Sequence, residues 1–382
     1  MSLHPVNWKC SYNITIWESR AMKGKINILL FLLFLFPPLV EAKVPGADEI
    51  FQNLLEAENT VSFVGKRLVV DWKFPPHSIT MEELIIKKAP DRVIMEILSP
   101  WELRGKKIIR DAGRIWFENF EKDEFLPPPP PPEFSGRKTF FQDISLLKRN
   151  YNVTISKGNN HEPEALSDES NIIAGRKTYR IEITPKYPGR PAKKLWLDAQ
   201  KHVVLRMEDY SWDGRLISLL VYTEIDFQSQ IDEKIFTTSP SGQNHRIREL
   251  KEEILSLSEA QKRSHFPVKV PQNLPEGFVF KGAYIKKMDG IQHIHLRYAD
   301  GLTTLSLFET KADDVNLWDK QPPEAGRHRV EEISIGKVNC KIVSPPGRVR
   351  ILHWTTKLSF TLIGEISKSE MIAIAESLIL GE

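Results

Sequence analysis

Apolar and polar residues alternate over much of the chain, and this pattern predicts β-strands with one buried face. Tyr179, Ile181 and Ile183, for example, are each separated by one polar or charged residue, the period of two that a half-buried strand requires. Such one-faced strands predict a large antiparallel sheet whose apolar side must be covered. The other strand-like segments are residues 62–71, 81–88, 92–98, 106–111, 114–120, 194–198, 203–208 and 217–227.

Three segments have helical spacing instead. Residues 48–58 place apolar side chains three and four positions apart, as do residues 246–263 and 369–380, which predicts amphipathic helices. A single short helix before so many strands is too small to cover them. The sheet is therefore expected either to curl on itself or to enclose a cavity.

The length and local composition predict two domains. A chain of 382 residues exceeds one comfortable core, and residues 236–245 have the Ser, Thr, Pro and Gly content of a linker. We therefore predict an α+β protein with an N-terminal domain at 43–235, a linker and helix at 236–270, and a smaller α+β domain at 271–382. Six prolines, Pro127 to Pro132, predict a rigid extended loop inside the first domain.

The first 42 residues have the features of an export signal. Lys23 and Lys25 precede an apolar run too short to cross a bilayer comfortably, and Val40-Glu41-Ala42 follows as a cleavage site. We predict a leader at 1–42 containing a signal peptide (22–42), cleavage near Ala42 and a periplasmic mature chain. Translation could begin at Met1 or at Met22.

Charge and motifs argue against several function classes. The net charge of +3 gives no drive toward nucleic acid. The sequence contains no nucleophile elbow, zincin, dinucleotide or phosphate-loop motif, so we predict no enzyme activity and no cofactor. His293 and His295 share one strand face but lack a third ligand, so a solvated face is favoured over a metal site.

Aromatic residues concentrate in the first strands, where two interpretations remain open. They either pack as an ordinary core or line an acyl-chain cavity. The turn at 104–107, Arg-Gly-Lys-Lys, is either solvated or contacts a phosphorylated headgroup at the cavity rim. The candidates for the cavity are Trp72, Trp101, Trp116, Phe117 and Phe120, with Leu205, Met207, Leu219 and Val221 from the later strands.

Several short motifs, in this order, resemble the RseB/MucB family of sigma-E regulators. The first domain contributes Leu195-Trp196-Leu197-Asp198 and Asp213-Gly214-Arg215-Leu216. The second contributes Leu274-Pro275-Glu276-Gly277-Phe278, Tyr298-Ala299-Asp300-Gly301-Leu302 and Leu362-Ile363-Gly364-Glu365-Ile366. Each motif is weakly specific, and their order over nearly the whole mature chain makes the resemblance.

The resemblance implies a fold and a partner. The first domain would be LolA-like, a curved antiparallel half-barrel sheet capped by helices. The protein would bind the periplasmic segment of a single-span anti-sigma factor, with Tyr298, Asp300 and Gly301 as candidate contacts, and would respond to lipid or lipoprotein acyl chains. The alternative is a LolA-like carrier of lipids or lipoproteins, because residues 98–134 are nearer in style to lipoprotein-sorting proteins.

Overall fold

The structure is a computed structural model that describes residues 46–72, 78–111, 113–120, 143–157, 171–237, 246–249, 253–288, 290–312, 329–344 and 349–380. The predicted leader and cleavage site, the proline run and most of the predicted linker lie outside these residues. From Val44 to Glu382 the chain forms one compact unit. No helix in the described part combines the length and apolar character needed to cross a bilayer.

The N-terminal domain is built on one large antiparallel sheet, as the alternating pattern predicted. Its strands run in the order β12-β5-β4-β3-β2-β1-β11-β10-β9-β8-β6, with β7 paired to β8 outside this path. The two end strands, β12 and β6, do not pair with each other, so the described sheet is open. Its strands are β1 (Phe63–Asp71), β2 (Ile79–Lys88), β3 (Arg92–Ser99), β4 (Lys107–Asp111), β5 (Arg114–Glu118), β6 (Tyr151–Lys157), β7 (Ile172–Ile173), β8 (Arg176–Pro185), β9 (Ala192–Asp198), β10 (Val204–Tyr210), β11 (Leu216–Asp226) and β12 (Arg246–Glu249).

Two helices cover the β6–β8–β9 part of this sheet. Helix α1 (Ala47–Thr60) buries Ile50, Phe51 and Leu54, and helix α2 (Ile144–Asn150) buries Leu147 beside them. These side chains pack against the apolar face of β8 and β9. A third helix, α3 (Lys234–Thr237), places Phe236 on a separate small cluster.

One buried ion pair interrupts the apolar interior near the middle of the sheet. Arg67 of β1 donates from Nε to Glu83 Oε2 of β2 at 2.7 Å, and both side chains are almost fully buried. The Arg67 guanidinium also lies over the ring of Tyr222 and within 3.8 Å of Met95 Sδ. The surrounding cluster is otherwise apolar.

The C-terminal domain contains a second antiparallel sheet with helices against one face. The order of its strands is β13-β14-β15-β19-β18-β17-β16. Helix α4 (Leu257–Arg263) and helix α5 (Lys368–Ile379) contribute Ala260, Met371 and Ile374 to its core. The strands are β13 (Val279–Met288), β14 (Ile291–Ala299), β15 (Thr304–Lys311), β16 (Arg329–Ile335), β17 (Val338–Ser344), β18 (Arg350–Thr355) and β19 (Leu358–Gly364).

The segment between the domains corrects one helix prediction. Residues 246–263 were expected to form a single helix, but Arg246–Glu249 is strand β12, paired antiparallel with β5, and helix begins only at Leu257. Ser256 explains the later start, because it and Glu259 form a capping box that fixes the first turn. Pairing with β5 overrides the weak helical spacing before it.

The fold class is confirmed: the protein is α+β, with a large open antiparallel sheet first and a smaller helix-covered sheet second.

Candidate functional site

Part of the predicted cavity lining does come together. Phe117, Phe120 and Leu205 belong to one buried cluster, and Met207 and Val221 pack against it half-buried. The rings of Phe117 and Phe120 meet edge to face with centroids 5.7 Å apart. Close contact among these side chains accounts for their burial by packing alone, so the acyl-chain cavity stays a prediction.

Three other lining candidates lie elsewhere. Trp116 follows Ile115 and precedes Phe117, so its side chain points to the opposite face of β5 and packs with Ile109 and Phe236. Trp101 sits on a turn after β3 with 79% of its side chain exposed, and Trp72 is also exposed at the end of β1. These three residues do not line the cluster around Phe117.

The prediction for β11 is shifted by a bulge. Asp209 pairs with Ser218 and Tyr210 with Leu216, so Ile217 is an extra residue in the ladder. An extra residue reverses which side chains face each side of a sheet. Leu220 is consequently more deeply buried than the predicted Leu219 and Val221.

The candidate partner contacts in the second domain are buried rather than exposed. Tyr298 and Asp300 are each 1% exposed. Gly301 lies so close to helix α2 that a Cβ there would be 2.5 Å from Leu147 N. Asp300 and Gly301 therefore join the two domains in this conformation, and Tyr298 belongs to the second domain's core. Their side chains cannot contact a partner directly here.

The junction between the domains is built from buried polar groups at the end of helix α2. Asn150 Nδ2 donates to the carbonyl oxygens of Gly277 and Asp300, at 2.9 and 2.7 Å. Tyr151 Oη donates to Asp300 Oδ2 at 2.7 Å. The other carboxylate oxygen of Asp300 accepts two backbone N–H groups of its own turn. Burial and the nearby Asp300 carboxylate raise the pKa of Tyr151 above its ordinary value, so the phenol stays a hydrogen-bond donor.

An arginine from the first domain completes this junction. Arg190, 2% exposed in its side chain, binds the Glu370 carboxylate through both terminal nitrogens, at 3.0 and 2.7 Å. Its guanidinium also lies over Phe278 and 3.8 Å from Asp300. Burial opposes ionisation of Glu370, but the hydrogen bonds from Arg190 and Ser367 outweigh it and lower the pKa of Glu370. The bidentate geometry is the strong form of this interaction.

A cleft of about 190 Å³ opens beside this junction, and both domains line it. The first domain contributes Lys193 and Asp209, which face each other across β9 and β10 as a buried ion pair. The second contributes Leu302, Thr304 and Ile363, among others. The volume is below the range of pockets that hold drug-sized ligands, so the cleft can take one or two side chains of a bound chain but not a whole lipid.

The histidines of β14 have a packing role. The ring of His295 stacks between Tyr284 and Phe308, with centroids at 5.3 and 4.3 Å, and its Nε2 lies 2.9 Å from Ser306 Oγ. Within the described residues, no group of three or more His, Cys, Asp or Glu side chains could hold a metal ion.

No sequence motif pointed to Asn150, Tyr151, Arg190 and Glu370 as a group. Their partners lie between 127 and 180 residues away along the chain, and no local pattern records such contacts. The only cue was the Tyr298-Ala299-Asp300-Gly301-Leu302 motif, which marked one side of the junction.

Comparisons with known proteins agree with this architecture. Residues 138–239 match the MucB/RseB N-terminal domain family, and residues 268–378 match a domain of unknown function, DUF4367. No curated protein sequence matches the chain. The first match covers the later strands of the N-terminal domain and the start of the linker.

Solved structures show the same fold across both domains. The crystal structure of MucB in complex with MucA(peri) is 16% identical, with a TM-score of 0.52, covering 87% of this chain and 98% of that one. The MucA/MucB complex of Pseudomonas aeruginosa is 16% identical with a TM-score of 0.50, and the match covers 86% of this chain and 96% of that one. A LolA superfamily protein from Nitrosomonas europaea is 16% identical over 51% of this chain and 99% of its own, with a TM-score of 0.26. Residues 138–239 are therefore of the MucB/RseB N-terminal type, and the two-domain fold of the chain is similar to that of MucB.

Proposed function

We propose that this chain is a non-enzymatic periplasmic regulator that binds the periplasmic segment of a single-span anti-sigma factor. The observation that carries this proposal is the fold shared with MucB, whose structure was solved in complex with MucA(peri) and is matched over 98% of its length. Binding would shield the anti-sigma factor and so control an envelope-stress sigma factor. Export through the leader, cleaved near Ala42, would bring the chain to this compartment.

The interdomain cleft supports a peptide as the ligand. Its lining combines the Lys193–Asp209 pair with the apolar side chains of Leu302 and Ile363, a mixture suited to one polar and one apolar peptide side chain. Because the two domains each supply part of the lining, neither domain alone would bind as tightly as the intact chain.

Lipid is the proposed release signal. The apolar cluster around Phe117 and Phe120 is the site we propose for an acyl chain, after local opening of the partly buried positions Met207 and Val221. If lipid releases the partner, then by linkage the partner must weaken lipid binding by the same factor.

A titration tests the proposal. The mature chain is titrated with the periplasmic peptide of the host's anti-sigma factor, labelled with a fluorophore, with and without lipid. We expect saturable binding that lipid weakens. Thr304→Trp, which fills the cleft from an exposed position, should weaken binding about tenfold or more, equivalent to about 1.4 kcal/mol.

The matched control is Thr223→Trp, at an exposed position of β11 that does not line the cleft, and its affinity should equal that of the wild type. Absence of peptide binding, combined with transfer of a lipoprotein to outer-membrane acceptors, would replace the regulator with the LolA-like carrier.

A further inference from the structure

Three exposed tryptophans lie along one edge of the N-terminal sheet. Trp72 follows β1, Trp101 follows β3 and Trp212 follows β10, and their side chains are 37%, 79% and 52% exposed. Antiparallel pairing places the ends of these three strands on the same side of the sheet: Asp71 pairs with Ile79, Ser99 with Glu82 and Tyr210 with Leu216. We call the three strand ends that carry Trp72, Trp101 and Trp212 the tryptophan rim.

The rim is continuous. In the strand order β4-β3-β2-β1-β11-β10, the tryptophan-bearing strands β3, β1 and β10 are each two strands apart. Successive ends of these strands therefore lie about 10 Å apart, twice the interstrand spacing. Trp72 N donates to Ile217 O at 3.0 Å, which fastens Trp72 to the start of β11, beside the turn that carries Trp212. Ile79, 43% exposed, adds another apolar side chain at the start of β2.

Single exposed apolar residues are common on protein surfaces, but here three exposed tryptophans lie together along one edge of a sheet. Among the described residues every exposed tryptophan lies on this rim, while Trp116, Trp196 and Trp354 are buried. The interior is therefore able to absorb indole rings, and three of them are nevertheless held outside on turns. Indole combines an apolar body with a polar N–H group, the combination that prefers the boundary between lipid headgroups and acyl chains.

Charge at the rim indicates which surface it fits. The turn that carries Trp101 also carries Arg104, Lys106 and Lys107, together with the carboxylate of Glu102. Lys107 pairs with Glu96 of β3 at 3.4 Å, so the excess positive charge rests on Arg104 and Lys106. Arg104 is exposed, although its Nε–H donates to Leu98 O, and Lys106 lies over the Phe120 ring. In the turn that carries Trp212 the positive and negative charges balance, because Arg215 pairs with Asp213 at 2.8 Å. The excess is positive and concentrated beside the most exposed tryptophan.

We propose that the tryptophan rim docks this protein onto an anionic phospholipid bilayer surface. Trp101 and Trp72 enter the headgroup region, and the cations of the 104–107 turn pair with lipid phosphates, as basic residues near a membrane do. Trp212 contributes less, because Arg350 covers one side of its ring at 5.7 Å. None of the three tryptophans lines the cleft.

Cosedimentation with vesicles tests the proposal. The mature chain is mixed with vesicles of phosphatidylethanolamine and phosphatidylglycerol, and in parallel with vesicles of phosphatidylcholine alone. We expect the wild type to sediment with the anionic vesicles. The triple variant Trp72→Ser/Trp101→Ser/Trp212→Ser should bind them at least about tenfold more weakly, and Arg104→Glu/Lys106→Glu should lose the preference for anionic lipid.

The matched control is Val330→Ser, which removes an exposed apolar side chain of the other domain and should bind as the wild type does. Circular dichroism and thermal unfolding verify that the variants are folded. Wild type that stays in the supernatant, or a triple variant that binds as tightly, would overturn the proposal. A dimer that the tryptophan substitutions dissociate would instead assign the rim to a second copy of the chain. Peptide binding in solution is measured without vesicles, so failure here leaves the regulator proposal standing.

Discussion

At the scale of single residues, the least expected group is a carboxyl inside the second domain's core. Leu305, Leu307 and Glu309 alternate on the same face of β15, and Glu309 is only 1% exposed. Its Oε2 accepts the Lys269 N–H at 2.9 Å, which holds the segment before β13. Burial raises the pKa of Glu309 to about 8, against this hydrogen bond and the Lys269 charge.

We predict that Glu309 makes the protein less stable as pH rises. Between about 4.5 and about 8 the unfolded chain has released this proton while the folded chain keeps it, so stability falls with pH across that window. Glu309→Gln retains an oxygen for Lys269 N–H and cannot ionise. The free energy of unfolding of the variant should therefore rise relative to that of the wild type, by on the order of a few kcal/mol between pH 5 and pH 8.

Urea unfolding at the two pH values measures this effect, with Glu332→Gln, at an exposed position, as the control for loss of a charge. A stability difference between Glu309→Gln and the wild type that is the same at both pH values would contradict the prediction.

For several strands, the side chains that face inward could be predicted from the sequence. Alternation identified which positions face inward in β8 and β9, because side-chain period is a local property. It missed the deeper burial of Leu220, because the bulge at Ile217 depends on how β10 pairs with β11. It also grouped Trp116 with Phe117, although adjacent residues in a strand point to opposite faces.

At the scale of elements, the β14–β15 turn and helix α2 fit so closely that only glycine is possible between them. Gly301 has φ of +102°, and a Cβ there would lie 2.5 Å from Leu147 N and 2.6 Å from Leu147 Cα. Both obstacles are backbone atoms, which cannot move as a flexible side chain can. The same turn carries Asp300, so any displacement would also break the hydrogen bonds from Asn150 and Tyr151.

We predict that Gly301→Ala lowers the free energy of unfolding more than Gly214→Ala does. The comparison separates the cost of backbone strain, which both variants have, from the cost of a steric clash, which only Gly301→Ala has. Gly214 has φ of +79° but nothing within 4 Å of its Cβ position, so its substitution should cost only the strain of a left-handed alanine, about 1 kcal/mol. Gly301→Ala should cost several kcal/mol, because the turn must also withdraw from α2. Thermal unfolding of both variants measures the two losses of stability. Equal losses would show that the close approach of Gly301 to α2 adds nothing to the cost of the substitution.

Element boundaries were predictable where a local signal marks them. The helices at 48–58 and 369–380 appear within a few residues of their predicted ends, as α1 and α5. Strand β12 was missed, because its existence depends on the free edge of β5, more than a hundred residues earlier in the chain.

At the scale of the whole molecule, the two predicted domains are joined by a junction that could not be predicted from the sequence. Arg190, Glu370, Asp300, Tyr151 and Asn150 form one buried polar network between the sheets. Such networks are costly when one member is removed, because the remaining groups stay buried without partners. The junction therefore decides whether the domains unfold together or separately.

We predict that the wild type unfolds in one calorimetric transition at neutral pH and that Arg190→Ala unfolds in two. Removing Arg190 leaves the Glu370 carboxylate half-buried without its bidentate partner, a loss of about 3 kcal/mol from the junction. Lys281→Ala is the control, because its pair with Asp143 at 2.5 Å also links the domains but is partly open to solvent, where an ion pair contributes at most about 1 kcal/mol.

Acid should act as Arg190→Ala does. The lowered pKa of Glu370 means that its contribution is present above the ordinary value of 4.5 and is lost as pH falls through the folded-state pKa. The wild type should consequently change from one transition to two on acidification below that range, while Arg190→Ala should show two throughout. A single transition for Arg190→Ala, at the wild-type temperature, would show that packing around Leu302 and Gly301 couples the domains without the ion pair.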